Sequence, residues 1–138
     1  LSRSHDLQDL PDNLSHIYEL SLDRCANIKE ITNIHDIKIL HVNHCHDLKT
    51  IIGLHDLQEL RISHCRDFES ITPLPKQLKK LTYTRKPELD KQFSQLQELE
   101  ELFIDSYDRD TRNSITMTVP WFLPHLKRLD SNDVFLDI

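Results

Sequence analysis

Glycine is almost missing from this sequence, with Gly53 its one example. Loops that cradle phosphate need several glycines at short spacing, so that the backbone can close on the ligand. A nucleotide site of that type is therefore excluded. Tryptophan and methionine also occur once each, and aromatic residues make up 7% of the chain. No apolar run approaches the roughly twenty residues that a membrane helix requires. Neither leader-like nor lipidation segments are visible, so membrane insertion is not expected.

Cysteine is scarce and odd in number: Cys25, Cys45 and Cys65. A secreted disulfide scaffold needs more of them at other spacings, so free buried thiols in a reducing, cytoplasmic compartment are the expectation. Seventeen basic residues face 23 acidic ones, a formal charge of −6. That balance argues against nucleic acid or an anionic membrane as the main partner, because both reward positive surface.

What is abundant is repetition. Leu20, Leu22, Cys25, Ile28 and Ile31 recur twenty residues later as Leu40, Val42, Cys45, Leu48 and Ile51. They recur again as Leu60, Ile62, Cys65, Phe68 and Ile71, without a gap. A period in the twenties marks a solenoid whose units bury their apolar residues only against neighbours. The Leu-x-Leu portion alternates with period two and predicts short parallel strands. These fall at Glu19–Asp23, Ile39–Asn43, Glu59–Ser63, Lys80–Thr84 and Glu101–Asp105. Apolar spacings of three around Ile28, Ile31, Ile34 and Ile37 predict a return path of short 3₁₀ turns or extended coil. Good helix formers between Asp90 and Glu101 predict a helical turn or two there.

The pattern Leu-x-x-Leu-x-Leu-x-x-Cys-x-x-Leu-x-x-Ile resembles the leucine-rich repeat family over roughly residues 1–104. Its cysteine-bearing form, as in Leu40-His41-Val42-Asn43-His44-Cys45, is similar to repeats of plant intracellular immune receptors. The resemblance implies an α/β repeat solenoid, right-handed and of about six coils. Its parallel β-sheet would form a concave face, with short 3₁₀ or coil returns on the convex face. Residues 1–138 then form one leucine-rich repeat domain. Because the chain opens at Leu1 in mid-pattern, it reads as N-terminally truncated, and its open first coil is expected to self-associate. The polar stretch 105–119 reads as an inserted loop, and 120–138 as a C-terminal cap built on Trp121, Phe122, Phe135 and Leu136.

Candidate chemistry is sparse. Three thiols in one column, separated by strand spacings, do not wrap a tetrahedral ion, so the cysteines read as structural. The nine histidines include His41, His44, His46 and His64, whose adjacency follows from the repeat itself. Their expected effect is pH sensitivity rather than metal binding. Stacked Asn27, Asp47 and Asp67 read as turn caps, since calcium needs six or more convergent oxygens. Triad-like residues abound, but an open sheet face lacks the enclosed pocket that catalysis requires, so neither enzyme activity nor a cofactor is expected.

The resemblance instead implies a non-catalytic module that recognises a protein or peptide through its strand face. Outward alternation offers His41, Arg61, Lys80, Thr82, Glu101 and Phe103, with His64 beside them, as the partner-binding set. An exposed phenylalanine with a charged surround fits an interface anchor. Two other readings stand beside this one. The coils could be a structural or assembly segment of a larger multidomain receptor, or the rim of Arg24, His44, His64 and Arg85 could hold an anionic ligand weakly.

Overall fold

The computed structural model describes residues 17–32, 34, 36–84, 86–105, 117–118, 124–131 and 136–137. Along the chain these form β1 (Glu19–Asp23), β2 (Glu30–Ile31), β3 (Ile39–Asn43), β4 (Thr50–Ile52), β5 (Glu59–Ser63) and β6 (Ser70–Thr72). Then come β7 (Lys80–Thr84), α1 (Pro87–Phe93), β8 (Glu101–Asp105), β9 (Met117–Thr118), β10 (Arg128–Ser131) and β11 (Leu136–Asp137). Six strands make one parallel sheet in the order β1-β3-β5-β7-β8-β10. The fold is a parallel β-solenoid.

The Leu-x-Leu alternation explains both bounds and register. Leu20, Leu40, Leu60, Leu81 and Leu102 are successive Cα partners across the sheet. Leu22, Val42, Ile62, Tyr83 and Ile104 form the next inward column, and every member of both columns is buried. A slip of one residue would turn all of these side chains outward, so the pattern enforces the register. Burying each one stabilises the stack by about 1.5–3 kcal/mol before entropic costs.

After each strand the chain bends through a left-handed residue: Arg24 at φ 56°, His44 at 53° and His64 at 56°. Such residues cost about 1–2 kcal/mol each. Their N–H groups are satisfied across the stack, donating to Asn43 O at 2.9 Å, Ser63 O at 3.0 Å and Thr84 Oγ1 at 2.8 Å. The following cysteine points inward. Cys45 Sγ approaches Asn43 O at 3.4 Å and Leu22 O of the preceding coil at 3.9 Å. Cys65 does the same with Ser63 O and Val42 O, at 3.5 and 3.8 Å. All three cysteines are free and buried.

The return path keeps turns and extended chain as expected, but its extended part is paired rather than coil. Single turns do occur, with Leu48 N–H donating to Cys45 O and Phe68 N–H to Cys65 O, each at 3.2 Å. Beyond them the chain is extended, and β2, β4 and β6 pair in parallel as a second, three-stranded sheet. Ile31, Ile51 and Ile71 are its inward column, flanked by outward Glu30, Thr50, Ser70, Ile52 and Thr72. β-branched residues fit a pleated, half-buried surface, which favours strands over tight turns here.

The second sheet stops at β6 because α1 occupies the next return. The helix begins earlier than the expected span of Asp90 to Glu101, since Pro87 presets the first helical φ and acidic Glu88 and Asp90 suit the first turn. Leu89 and Phe93 face the core. Tyr83 packs its ring edge to face with Phe93 at 4.9 Å and donates to Asp90 Oδ1 at 2.5 Å. Gln92 then covers the open edge of β6. Its Oε1 accepts from Ile71 N–H at 3.1 Å and its Nε2 donates to Glu69 O at 3.3 Å.

Residues 1–16, most of the expected inserted loop and most of the expected cap, with Trp121, Phe122 and Phe135, lie outside the described residues. Within those spans β9 pairs in parallel with β11, and β10 continues the main sheet beside β8.

Candidate recognition surface

In-register stacking sorts the outward side chains of the main sheet into rows. The middle row runs Ser21, His41, Arg61, Thr82 and Phe103 as successive Cα partners. The row before it runs Glu19, Ile39, Glu59, Lys80, Glu101 and Arg128. Over the later strands these rows border an open groove of about 490 Å³. Arg61, Lys80, Thr82, Glu101, Phe103 and His64 all line it. His41 does not. It lies on the same face but turns to Glu59, with Nε2 3.1 Å from Oε1.

Several lining residues were not among those picked from the sequence, notably Asn43, Ser63 and Arg128. Asn43 and Ser63 end strands whose outward positions were identifiable. Arg128 was hidden by spacing: strands begin at 19, 39, 59, 80 and 101, and the next begins only at 128. Its place on the face depends on how the chain returns after Asp105, which the repeat alone does not define.

The groove mixes both charges, and its acids lie against basic side chains. Glu59 has His41, Glu101 has Lys80 Nζ at 3.7 Å, and Asp105 Oδ2 has His64 Nε2 at 3.2 Å. The Lys80–Glu101 pair is about half exposed on both sides, so it contributes little to stability. Arg61 is exposed and makes no ion pair among the described residues.

At the rim, the left-handed turns place His44 and His64 one above the other, with ring centroids 4.9 Å apart and planes at 22°. His46 meets His44 edge-on at 6.2 Å. His44 Nδ1 stands 3.9 Å from Asp23 Oδ1, too far for a hydrogen bond. Burial, then the neighbouring His64 and Arg24, lower the His44 pKa below its ordinary 6.5, with Asp23 opposing. His44 is therefore uncharged at neutral pH and adds no anion affinity there. Arg85, the fourth residue of the expected anionic rim, lies outside the described residues. No group of three or more histidine, cysteine or acidic residues placed to hold a metal occurs among the described residues. No helix among them is long and apolar enough to cross a membrane.

These features define a repeat protein of the parallel β-solenoid class, with an open, mixed-charge groove on its larger sheet. Comparison with protein-family models, curated proteins and solved structures returned no match.

Proposed function

We propose that this chain is a non-catalytic recognition module of the leucine-rich-repeat kind, which binds a protein or peptide through the face of its main sheet. One observation carries the reading. Outward positions of successive strands, diverse in chemistry, meet in register on one groove, while the inward positions remain uniformly apolar. A stiff sheet presents such side chains with little ordering cost on binding. Phe103, half-buried beside Thr82, offers an apolar anchor, and Arg61 and Lys80 offer charge around it.

The test is affinity capture by the full chain, with Arg61→Glu/Lys80→Glu and Phe103→Ala variants beside the unaltered protein. A partner lost with these variants, while circular dichroism and melting temperature hold, supports the reading. Ile52→Ser on the second sheet is the control and should retain the partner. Capture that survives every groove variant and fails with the control would place the contact on the opposite face and overturn it.

A further inference from the structure

We infer that the groove takes an acidic peptide, seating one carboxylate side chain on Arg61 and an apolar side chain three residues away on Phe103. This rests on the recognition reading above and adds the chemistry of the occupant. Charge supplies the first reason. Glu59 and Asp105 lie against His41 and His64, and Glu101 against Lys80, which leaves the Arg61 guanidinium as an exposed cation with no acid of its own among the described residues. A guanidinium binds carboxylate through two parallel hydrogen bonds, a geometry that ammonium does not reproduce. Lys80, in the adjoining row on the next strand, is held only by a half-exposed pair and can turn toward the same ligand.

The surrounding acids favour a single localised charge. A phosphate backbone would run its negative charges past Glu59, Glu101 and Asp105 as well, where like charges repel. An acidic side chain on an otherwise uncharged peptide meets Arg61, with Lys80 in reach, and carries no further charge past these acids.

Spacing supplies the second reason. Arg61 in β5 and Phe103 in β8 belong to one row with Thr82 of β7 between them. Two inter-strand steps span about 9.6 Å. A polyproline II peptide crossing the strands rises about 3.1 Å per residue with three residues per turn, so residues i and i+3 share a side about 9.3 Å apart. A β-strand would present i and i+2 on one side at about 6.7 Å, short of the distance. The expected motif is acidic-x-x-apolar in a proline-rich segment, with the Thr82 hydroxyl beneath the intervening residues.

Fluorescence anisotropy tests this on the full chain. The probes are labelled, end-blocked peptides with Glu-Pro-Pro-Leu, Gln-Pro-Pro-Leu, Lys-Pro-Pro-Leu and Glu-Pro-Leu cores. The first should bind about tenfold or more tightly than the other three, and its affinity should fall as salt is raised from about 0.05 to about 0.5 M. Arg61→Gln should erase the preference for Glu over Gln, Arg61→Lys should restore part of it, and Phe103→Ala should weaken binding of every peptide. Equal affinity for Glu and Gln peptides, an unchanged preference in Arg61→Gln, or no binding at all overturns the inference. If all charges bind alike and Phe103→Ala still weakens them, the acidic occupant is wrong while the recognition face stands. The recognition face itself fails only if groove variants leave partner capture intact.

Discussion

Lys86 shows how one side chain can take over the work of another. It stands where earlier coils have cysteine, and its ammonium donates to Arg66 O and, at 2.9 Å, to Phe68 O of the preceding coil. The cysteines reach the last carbonyl of their own strand and the next to last of the preceding one; Lys86 reaches instead into the turn that follows the preceding strand. Lys86→Met should cost about 1–2 kcal/mol by urea unfolding, because the two carbonyls lose a charged donor. Burial should shield all three cysteines from reagent in the folded protein, even though contact with Cys45 draws the Cys65 thiol below its ordinary range. Contact with the Cys65 thiol, and then burial, push the Cys45 thiol well above the ordinary range, so little thiolate forms. Reaction with a disulfide reagent should expose no thiol in the native protein and three on unfolding. Free buried thiols were legible from their number and position. The role of Lys86 was not, since it depends on geometry between coils rather than on spacing.

The histidine rim makes a pH prediction at the same scale. His44 has a folded pKa below 6.5, so the folded state binds fewer protons than the unfolded state as pH falls through that value. Its effect on stability is absent above about 6.5 and becomes a loss as pH drops from there toward the lowered folded pKa. His64, His46 and Arg24 disfavour its charge, and Asp23 favours it. The fall in melting temperature between pH 7.5 and 5.5 should therefore be smaller in His44→Gln than in the unaltered protein. An equal fall in both would remove the rim as its source.

At the scale of elements, the question is how a solenoid changes its return path without leaving a strand edge bare. Gln92 does this by presenting an amide to β6 where a fourth strand would have presented its backbone. Gln92→Leu should lose about 1–2 kcal/mol, because Ile71 N–H and Glu69 O lose their partners. Gln92→Glu should lose less, since its carboxylate still accepts from Ile71 N–H and only the bond to Glu69 O is lost. Hydrogen exchange at the Ile71 amide should accelerate in Gln92→Leu and stay close to normal in Gln92→Glu. The five-residue strands were legible down to their ends, because two buried positions in five leave little freedom. The second sheet was not, since Ile28, Ile31 and Ile34 at spacings of three suit a turn as well as two or three extended residues. The helix was legible as helix but placed late, because its start is governed by Pro87 rather than by the apolar positions.

Across the whole molecule, stability is a sum of contacts between neighbouring coils. Central positions touch a coil on each side, so Leu60→Ala should cost about 2–4 kcal/mol. The outward neighbour Arg61 should tolerate alanine within about 0.5 kcal/mol. That contrast separates residues that build the sheet from residues that use it. The groove as a whole was legible through its outward positions on β3, β5, β7 and β8. Arg128 lies beyond an irregular return, where no period points.

The most direct test of the account is a methyl nuclear Overhauser experiment on the full chain with labelled leucines. In-register coils predict strong cross-peaks from Leu40 to both Leu20 and Leu60, and from Leu60 to Leu81, as their Cα pairing requires. Absence of these peaks, or peaks between residues offset along the strands, would contradict the stacking and dissolve the groove with it.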